Sequence, residues 1–483
     1  MSGLIAVFND RNEETDLKSL VEKVEFRGVC REVDTGDSSC SLMVFGGNSE
    51  HESKPLSAAI DGYMVFSEEE GRVLEGPKGE RDFFSLFEKE GPSCFENIEG
   101  EFTVASTCGE GNCLIARDPL GIKPLYYALD GGLLYLAPEI KALVDLGLKI
   151  NEVPPGSYYQ KDRGWVKYYT FPSAGKSDLN IKDAEKEMRR LLKLAVEERI
   201  EGVENLGVYL SGGLDSSVIA VLAAQIRNNP ISTYTVGVKG SRDIDYAEDV
   251  AARIGSEHHS YTYDIDEMQS VLPAVIYHLE SFDCAYVRSA IPNYIAASRA
   301  AADGRRVMLT GEGSDEMFAG YSYLKTLPSA QMIAAELEGI FENLSRTGLQ
   351  RVDRMNAAHG LECRVPFLKP SLLELVQQFP MDWKLHNLDS DPVDKWILRR
   401  AFEEELGAKV AWRKKEQFDQ GSGSAKMLEE VAEDAISDAE FAAESEAAPV
   451  SVRNKEELYY YRIFRNSFPE AVLPLVGRWS KTS

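Results

Sequence analysis

The chain has 483 residues, of which 43% are apolar and 27% charged, with a formal net charge of -26. At roughly 100–200 residues per domain this composition accommodates two or three globular domains with sizeable cores. The acidic excess excludes nucleic acid and anionic membranes as favoured partners, because both surfaces are themselves polyanionic.

Residues 1 to about 160 carry short β-like runs broken by Gly, Asp and Pro: Leu4–Phe8, Leu42–Phe45, Ala58–Phe66, Phe102–Ser106, Leu114–Ala116 and Leu133–Ala137. Their spacing predicts antiparallel sheets with few helices. A turn-rich stretch, Phe171–Asp178, reads as a linker. From residue 181 the texture changes. Residues 182–201 have apolar positions at helical spacing. They are followed by a strand (Leu206–Leu210), a helix (Val218–Arg227), a strand (Ile231–Val238), a helix (Tyr246–Ile254) and a strand near His259–Tyr263. Arg306–Thr310 is a further buried strand. Strands alternating with helices predict an α/β domain with a doubly wound parallel sheet. Beyond about 329 the chain reads as mainly helical, and the acidic, Ala-rich Ser437–Ala448 as a mobile segment.

Seven cysteines at scattered spacings form neither a CxxC pair nor a Cys/His cluster, which indicates reduced thiols. The N-terminus lacks a basic leader, and no run approaches the ~18 apolar residues of a membrane span. The expectation is a soluble, cytoplasmic protein with no membrane partner.

The strongest local signal is Ser211-Gly212-Gly213-Leu214-Asp215-Ser216-Ser217, between a strand and a helix. Paired glycines let backbone amides approach an anion, and helix N-terminal amides favour negative charge. An ordinary Gly-rich turn is the plain alternative, but Asp215 would be out of place in a pure anion cradle. It fits a ligand for Mg²⁺ bridging phosphates, since Mg²⁺ takes one or two carboxylates plus phosphate oxygens. The loop is not a Walker A loop, because Gly-Lys-Ser/Thr is absent. A second constellation, Thr310-Gly311-Glu312-Gly313-Ser314-Asp315-Glu316, follows the Arg306–Leu309 strand. Asp315 could complete the Mg²⁺ site, and Glu312 could act as general base on an amine. A third segment, Trp412-Arg413-Lys414-Lys415-Glu416-Gln417-Phe418, is basic in an acidic protein: it reads either as a solvated helix end or as a cation that neutralises departing pyrophosphate or a tetrahedral intermediate.

The first loop resembles the signature of ATP pyrophosphatases, and the ordered set of motifs resembles the asparagine synthetase family along almost the whole chain. The matching stretches are TVGV at 235–238, SRDIDYAEDVAARIGSEHH at 241–259, ESFDCAYVRSAIPNY at 280–294, LTGEGSDEMFAGY at 309–321, QRVDRMNAAHGLECRVPFL at 350–368, DKWILRRAF at 394–402, WRKKEQF at 412–418 and YYYRIFRNSFP at 459–469. In the N-terminal half they are IEGEFTV at 98–104, LIARDPLGIKPLYY at 114–127, LYLAPEIKALV at 134–144 and VPPGSYY at 153–159.

The resemblance implies an Ntn-type αββα glutaminase-like domain over 1–170. It also implies an ATP-pyrophosphatase domain of the adenine nucleotide alpha hydrolase type, with a helical C-terminal part, over 180–483. ATP would be held by Leu210, Ser211, Gly212, Gly213, Asp215, Ser216, Ser217, Val236, Thr310 and Gly311, and Mg²⁺ by Asp215 and Asp315. Glu312 and Lys415 would be catalytic. Arg288 and Asp243 fall in matching motifs without a clear role. A tyrosine takes the place of this glutamate in relatives that close β-lactam rings, so Glu312 favours intermolecular amide formation. A homodimer is also implied.

The chain departs from the pattern in its N-terminal half. Working glutaminases begin Met-Cys-Gly, whereas Ser2 stands here. The Arg-Gly-Pro-Asp segment has no match, and Asn-Gly-Glu is replaced by Asp61-Gly62-Tyr63. An Asp61 anion would oppose charge developing in an oxyanion hole. These departures lead to an ammonia-dependent ligase with an inactive glutaminase domain. Its substrates would be aspartate, ATP and ammonia, and its products asparagine, AMP and pyrophosphate. Two alternatives stay open: the same chemistry on another small, peptide or tRNA-linked carboxylate or with another amine, and a non-enzymatic binding protein. An N-terminal serine can itself be a nucleophile, so residual amidase activity at Ser2 also stays open.

Overall fold

The computed structural model describes residues 3–9, 17–33, 40–45, 58–66, 73–107, 113–172, 175, 178–388, 390–414 and 424–479. In the N-terminal part, alternating apolar strands build two six-stranded antiparallel sheets. The first has the order β10-β8-β9-β1-β3-β2, with β1 (Leu4–Asn9), β2 (Cys30–Val33), β3 (Cys40–Phe45), β8 (Tyr126–Asp130), β9 (Leu133–Ala137) and β10 (Ile150–Glu152). The second has the order β12-β11-β7-β6-β4-β5, with β4 (Ala58–Phe66), β5 (Val73–Glu75), β6 (Ile98–Thr107), β7 (Cys113–Arg117), β11 (Ser157–Gln160) and β12 (Gly164–Lys167). Strand alternation in β1 sends Leu4, Ala6 and Phe8 into the core between the sheets. It sends Ile5 and Val7 to the opposite face, against Ile140 and the second domain. The helix Gly76–Glu90 covers the other sheet through Phe83, which packs on Phe95 and Met64. The layering is the expected αββα sandwich; among the described residues the short helices Lys18–Glu22 and Ile140–Leu143 pack with Ile5 and Val7 on the face of the first sheet away from the core between the sheets.

The second domain is a five-stranded, all-parallel sheet of order β15-β14-β13-β16-β17. Its strands are β13 (Leu206–Tyr209), β14 (Ser232–Val238), β15 (Glu257–Tyr263), β16 (Val307–Leu309) and β17 (Glu362–Arg364). The central strands β13 and β16 are short, almost wholly buried apolar runs, as a sheet covered on both faces requires, whereas the edge strand β15 is polar and partly exposed. The chain runs outward from β13 through β14 to β15, then returns to β16 on the other side of β13. The topological switch point, where such folds place ligands beyond the carboxyl ends, therefore lies between the loops after β13 and β16.

Two helices begin earlier than their apolar periodicity indicated. Leu214–Ile226 starts at the glycine turn, with Gly213 extended and no side-chain cap. Arg242–Ile254 starts at Ser241, whose side chain accepts from the Asp243 amide. Ser437–Ala448, read as mobile, instead forms a helix over Asp438–Ala447. Ser437 caps it reciprocally with Glu440, and Glu444 pairs with Arg462. The helix Gly76–Glu90 and strand β17 carried no signal strong enough to be read from sequence. No helix among the described residues is long and apolar enough to cross a membrane.

Candidate active site

The loop after β13 is held by its own hydroxyls. Ser216 Oγ accepts from the Ser211 amide at 3.1 Å, the Ser211 and Ser216 hydroxyls meet at 3.0 Å, and the Gly213 amide donates to Ser211 Oγ at 3.3 Å. Gly212 has φ +69, and a Cβ there would lie 2.5 Å from the Ala247 backbone nitrogen, so only glycine fits. Because no side chain caps the helix Leu214–Ile226, its first-turn amides keep free donors aimed past the turn.

The loop after β16 packs directly on this one. A Cβ on Gly311 would lie 2.7 Å from the Ser216 amide nitrogen. The buried Ser314 hydroxyl donates to Asp215 Oδ1 at 2.7 Å. The two loop carboxylates, Asp215 and Asp315, converge on one point, which the Lys395 ammonium occupies at 2.5 Å from an oxygen of each. Lys395 is 2% exposed and its two carboxylate neighbours push its pKa upward. Gly320 makes this contact possible, since a Cβ there would overlap Asp315 Oδ1 and Lys395 Cε. Lys395 was only part of a matching motif in the sequence, and its residue type carries no hint that it sits between two acids.

These residues line a cleft of about 1110 Å³. Leu210, Ser211, Gly213, Asp215, Ser216, Val236, Thr310, Gly311, Glu312 and Asp315 all reach it, as do Arg288 and Asp243. Gly212 and Ser217 do not line it: Gly212 packs on Tyr246 and Ala247, and Ser217 is fully buried with its hydroxyl unpartnered. Lys415 lies outside the described residues. Its neighbour Lys414 lines the cleft, and Arg413 pairs with Asp243 at 2.5 Å while lying over the Tyr246 ring.

At the far end of the cleft, both Glu312 oxygens accept from Arg351 Nη2, at 2.8 and 2.9 Å. Arg351 Nη1 donates to Asn293 at 2.6 Å. Neither Arg351 nor Asn293 was singled out in the sequence. Next to them Glu316 is buried, accepts from the Tyr321 hydroxyl at 2.5 Å, and is pushed up to about 7 by burial and by Glu312 and Asp315. Arg288 grips Glu456 with two nitrogens.

The glutaminase-like positions present a different picture. Ser2 lies outside the described residues. Asp61 is 1% exposed and neither of its oxygens has a hydrogen-bond partner. Burial raises its pKa to about 6, against the pull of Lys123 and Arg27. Tyr63 is fully buried, donates to Glu101 at 2.9 Å, and lies beneath the Arg199 and Arg364 guanidinium groups of the second domain. Tyr63 therefore seals a domain contact. Asp61 yields a prediction. Its proton binds more tightly in the folded protein, so the stability it lends is present below about pH 4 and is lost as pH rises through about 6. Asp61→Asn should therefore raise stability by about 1–3 kcal/mol at neutral pH, with the gain shrinking towards pH 4. Urea midpoints measured across that range check this; a difference independent of pH would refute it.

Comparisons with known proteins bear on this cleft. A family profile described as Asparagine synthase matches residues 187–346 and 327–473, and one described as Glutamine amidotransferase domain matches residues 78–145. The chain is 34% identical over 407 residues to Asparagine synthetase B [glutamine-hydrolyzing] of Escherichia coli, covering 80% of this chain and 73% of that protein. It is 33% identical over 430 residues to a probable asparagine synthetase [glutamine-hydrolyzing] of Schizosaccharomyces pombe, covering 82% and 77%. A probable asparagine synthetase [glutamine-hydrolyzing] of Dictyostelium discoideum is 29% identical over 539 residues, covering 100% and 96%.

Proposed function

The chain belongs to the asparagine synthase family, and from that premise we propose that it activates the side-chain carboxylate of aspartate as an acyl-adenylate and transfers the acyl group to ammonia. The observation that carries this reading is the convergence of Asp215 and Asp315 on one point, beside uncapped helix amides at the switch point.

The Lys395 ammonium fills the point between the two carboxylates, so a Mg²⁺ ion that also takes phosphate oxygens would be held by their remaining lone pairs, beside Lys395 rather than in its place. The described residues offer no cluster of three or more His, Cys, Asp or Glu side chains able to hold a metal alone, so the nucleotide itself would complete the shell. Bound there, Mg²⁺ would neutralise charge building on the leaving pyrophosphate. The protein's own part is positional. The amides of the Leu214–Ile226 helix bind the phosphates, and Ser314 fixes Asp215. Lys395 keeps two like charges together that would otherwise repel. Lys415 is assigned by family resemblance as the cation opposite the departing phosphates. Glu312, oriented by Arg351, faces the acyl group and the incoming nitrogen. Ammonia attacks the acyl carbon, the bond between that carbon and the AMP phosphate oxygen breaks, AMP leaves, and one proton passes from the nitrogen to the Glu312 carboxylate.

The nitrogen source we propose is free ammonia. Asp61 and Tyr63 support this, because a buried carboxylate and a ring committed to the domain contact replace the donor and acceptor that glutamine would need. A cytoplasmic location fits the free thiols of Cys30, Cys94, Cys284 and Cys363. The test is direct. Purified protein with aspartate, Mg-ATP and ammonium should yield asparagine and pyrophosphate in equal amounts, while glutamine in place of ammonium should give no turnover above background. No asparagine and no pyrophosphate with ammonium would refute the ligase reading, and equal turnover on glutamine would refute the loss of glutaminase activity.

A further inference from the structure

The helix Gly348–Ala357 lies between the two domains and is buried over eight of its ten residues. On one side it meets the N-terminal domain through ion pairs. Asp353 accepts from Arg27 at 2.6 Å, and Arg27, fully buried, also holds Glu139 at 2.5 Å. Arg354 donates to the Tyr126 hydroxyl at 3.2 Å and pairs with Glu280. Glu280 in turn accepts the amides of Ile140 and Lys141, at 3.0 and 2.7 Å, from the N-terminal domain. Glu280 adopts a left-handed backbone (φ 55), an unfavourable conformation for a non-glycine residue that the surrounding contacts must enforce.

On the other side the same helix carries Arg351, which holds both oxygens of Glu312. Residues 351 and 353 point about 200° apart on an α-helix, so one rigid rod presents both faces. The helix's first residue also touches the cleft: a Cβ on Gly348 would lie 2.9 Å from Glu312 Oε1. By contrast, the partners of Ser211, Asp215, Ser216 and Lys395 around the phosphate loop all belong to the second domain.

Buried ion pairs of this kind add little net stability over apolar packing, but they are directional. We propose that the N-terminal domain is a positioning element for the acyl-transfer end of the cleft: through Arg27 and Tyr126 it sets the helix Gly348–Ala357 so that Arg351 holds Glu312 in place. The idea rests on the amide-forming reading above and gives the glutaminase-like domain a role that needs no glutamine.

The consequence is a split between half-reactions. Arg27→Met should lower asparagine formation about 10-fold, since displacing a reacting group by a fraction of an ångström has effects of that order. Aspartate-dependent exchange of pyrophosphate into ATP should stay within about twofold of the unaltered protein, because displacement at Glu312 leaves the phosphate loop in place. Tyr126→Phe, which removes a single hydrogen bond, should show a smaller split in the same direction. The neutral pair Arg27→Gln with Asp353→Asn should recover amide formation by rebuilding the contact without charge. In an Arg351→Lys background, Arg27→Met should add no further loss. Equal loss of both half-reactions in Arg27→Met and Tyr126→Phe, additive loss with Arg351→Lys, or no loss at all would overturn the proposal. Absence of both reactions in the unaltered protein would instead overturn the ligase reading.

Discussion

Replacing Asp215 by alanine should abolish pyrophosphate release at the level of steady-state assay, a loss on the order of 10³-fold that corresponds to several kcal/mol of charge stabilisation. Asp215 is joined to both halves of the phosphate site: Ser314 donates to one of its oxygens and Lys395 to the other. Removing it takes away a carboxylate proposed to hold the nucleotide's cation, yet leaves Lys395 paired with Asp315. The fold should therefore persist, and the far-ultraviolet circular dichroism of the variant should match that of the unaltered protein. Retention of more than about a tenth of the adenylation rate would show that the carboxylate carries no essential charge at this step. Lys395→Met provides a counterpart. It leaves Asp215 and Asp315 facing each other unscreened and should weaken ATP binding less in high Mg²⁺ than in low.

The second large effect concerns stability. Glu280→Ala should destabilise the protein by about 3–5 kcal/mol, the usual cost of removing one partner from a buried ionic cluster. Glu280 is 1% exposed and serves Arg354, Lys141 and two backbone amides of the helix Ile140–Leu143 at once. Alanine would leave the Arg354 charge and both amides buried with no carboxylate to meet them. Urea unfolding followed by fluorescence should show the midpoint falling, while Glu280→Gln, which keeps an acceptor for one of the two amides, should lose less. A loss below about 1 kcal/mol in Glu280→Ala would mean that the domain interface does not depend on this cluster. The same residue precedes Ser281, Phe282 and Asp283, and Asp283 caps the helix Cys284–Ala302 from which Arg288 and Asn293 reach the cleft. The cost in stability and the geometry of the cleft are thus linked through one loop.

Family membership changes how the cleft is read more than how it is built. Without it, two glycine turns and a pair of aspartates would indicate a nucleotide and a cation, with no statement about the acyl acceptor. With it, the paired Glu312 and Arg351 are the proposed acyl-transfer end. The unusual residues of the N-terminal domain become a question about nitrogen supply, which the ammonium and glutamine assays answer.

Local chemistry made much of this legible in the sequence. The short, turn-bounded strands such as Leu4–Phe8 marked an antiparallel sheet domain, and the strands at Leu206, Ile231 and Arg306, alternating with helices, marked a parallel one. Both readings rest on burial periodicity, which needs no knowledge of partners. The two glycine loops of the cleft were legible for the same reason: glycine turns between strand and helix have a local conformational cause. The start of the helix Leu214–Ile226 was misplaced because its first turn is capped by no side chain, which removes the usual sequence signal while leaving amides for an anion. Lys395, Arg351 and Glu280 were not legible. Their roles come from partners 180, 39 and 74 residues away, on Asp215, Glu312 and Arg354. Charge pairing in a buried site depends on which elements meet, and a sequence read along its length does not contain that distance. Tyr63 shows the limit from the other side. Its departure from the family motif was visible at once, but only the packing of Arg199 and Arg364 over its ring turned a missing glutamine ligand into a domain contact.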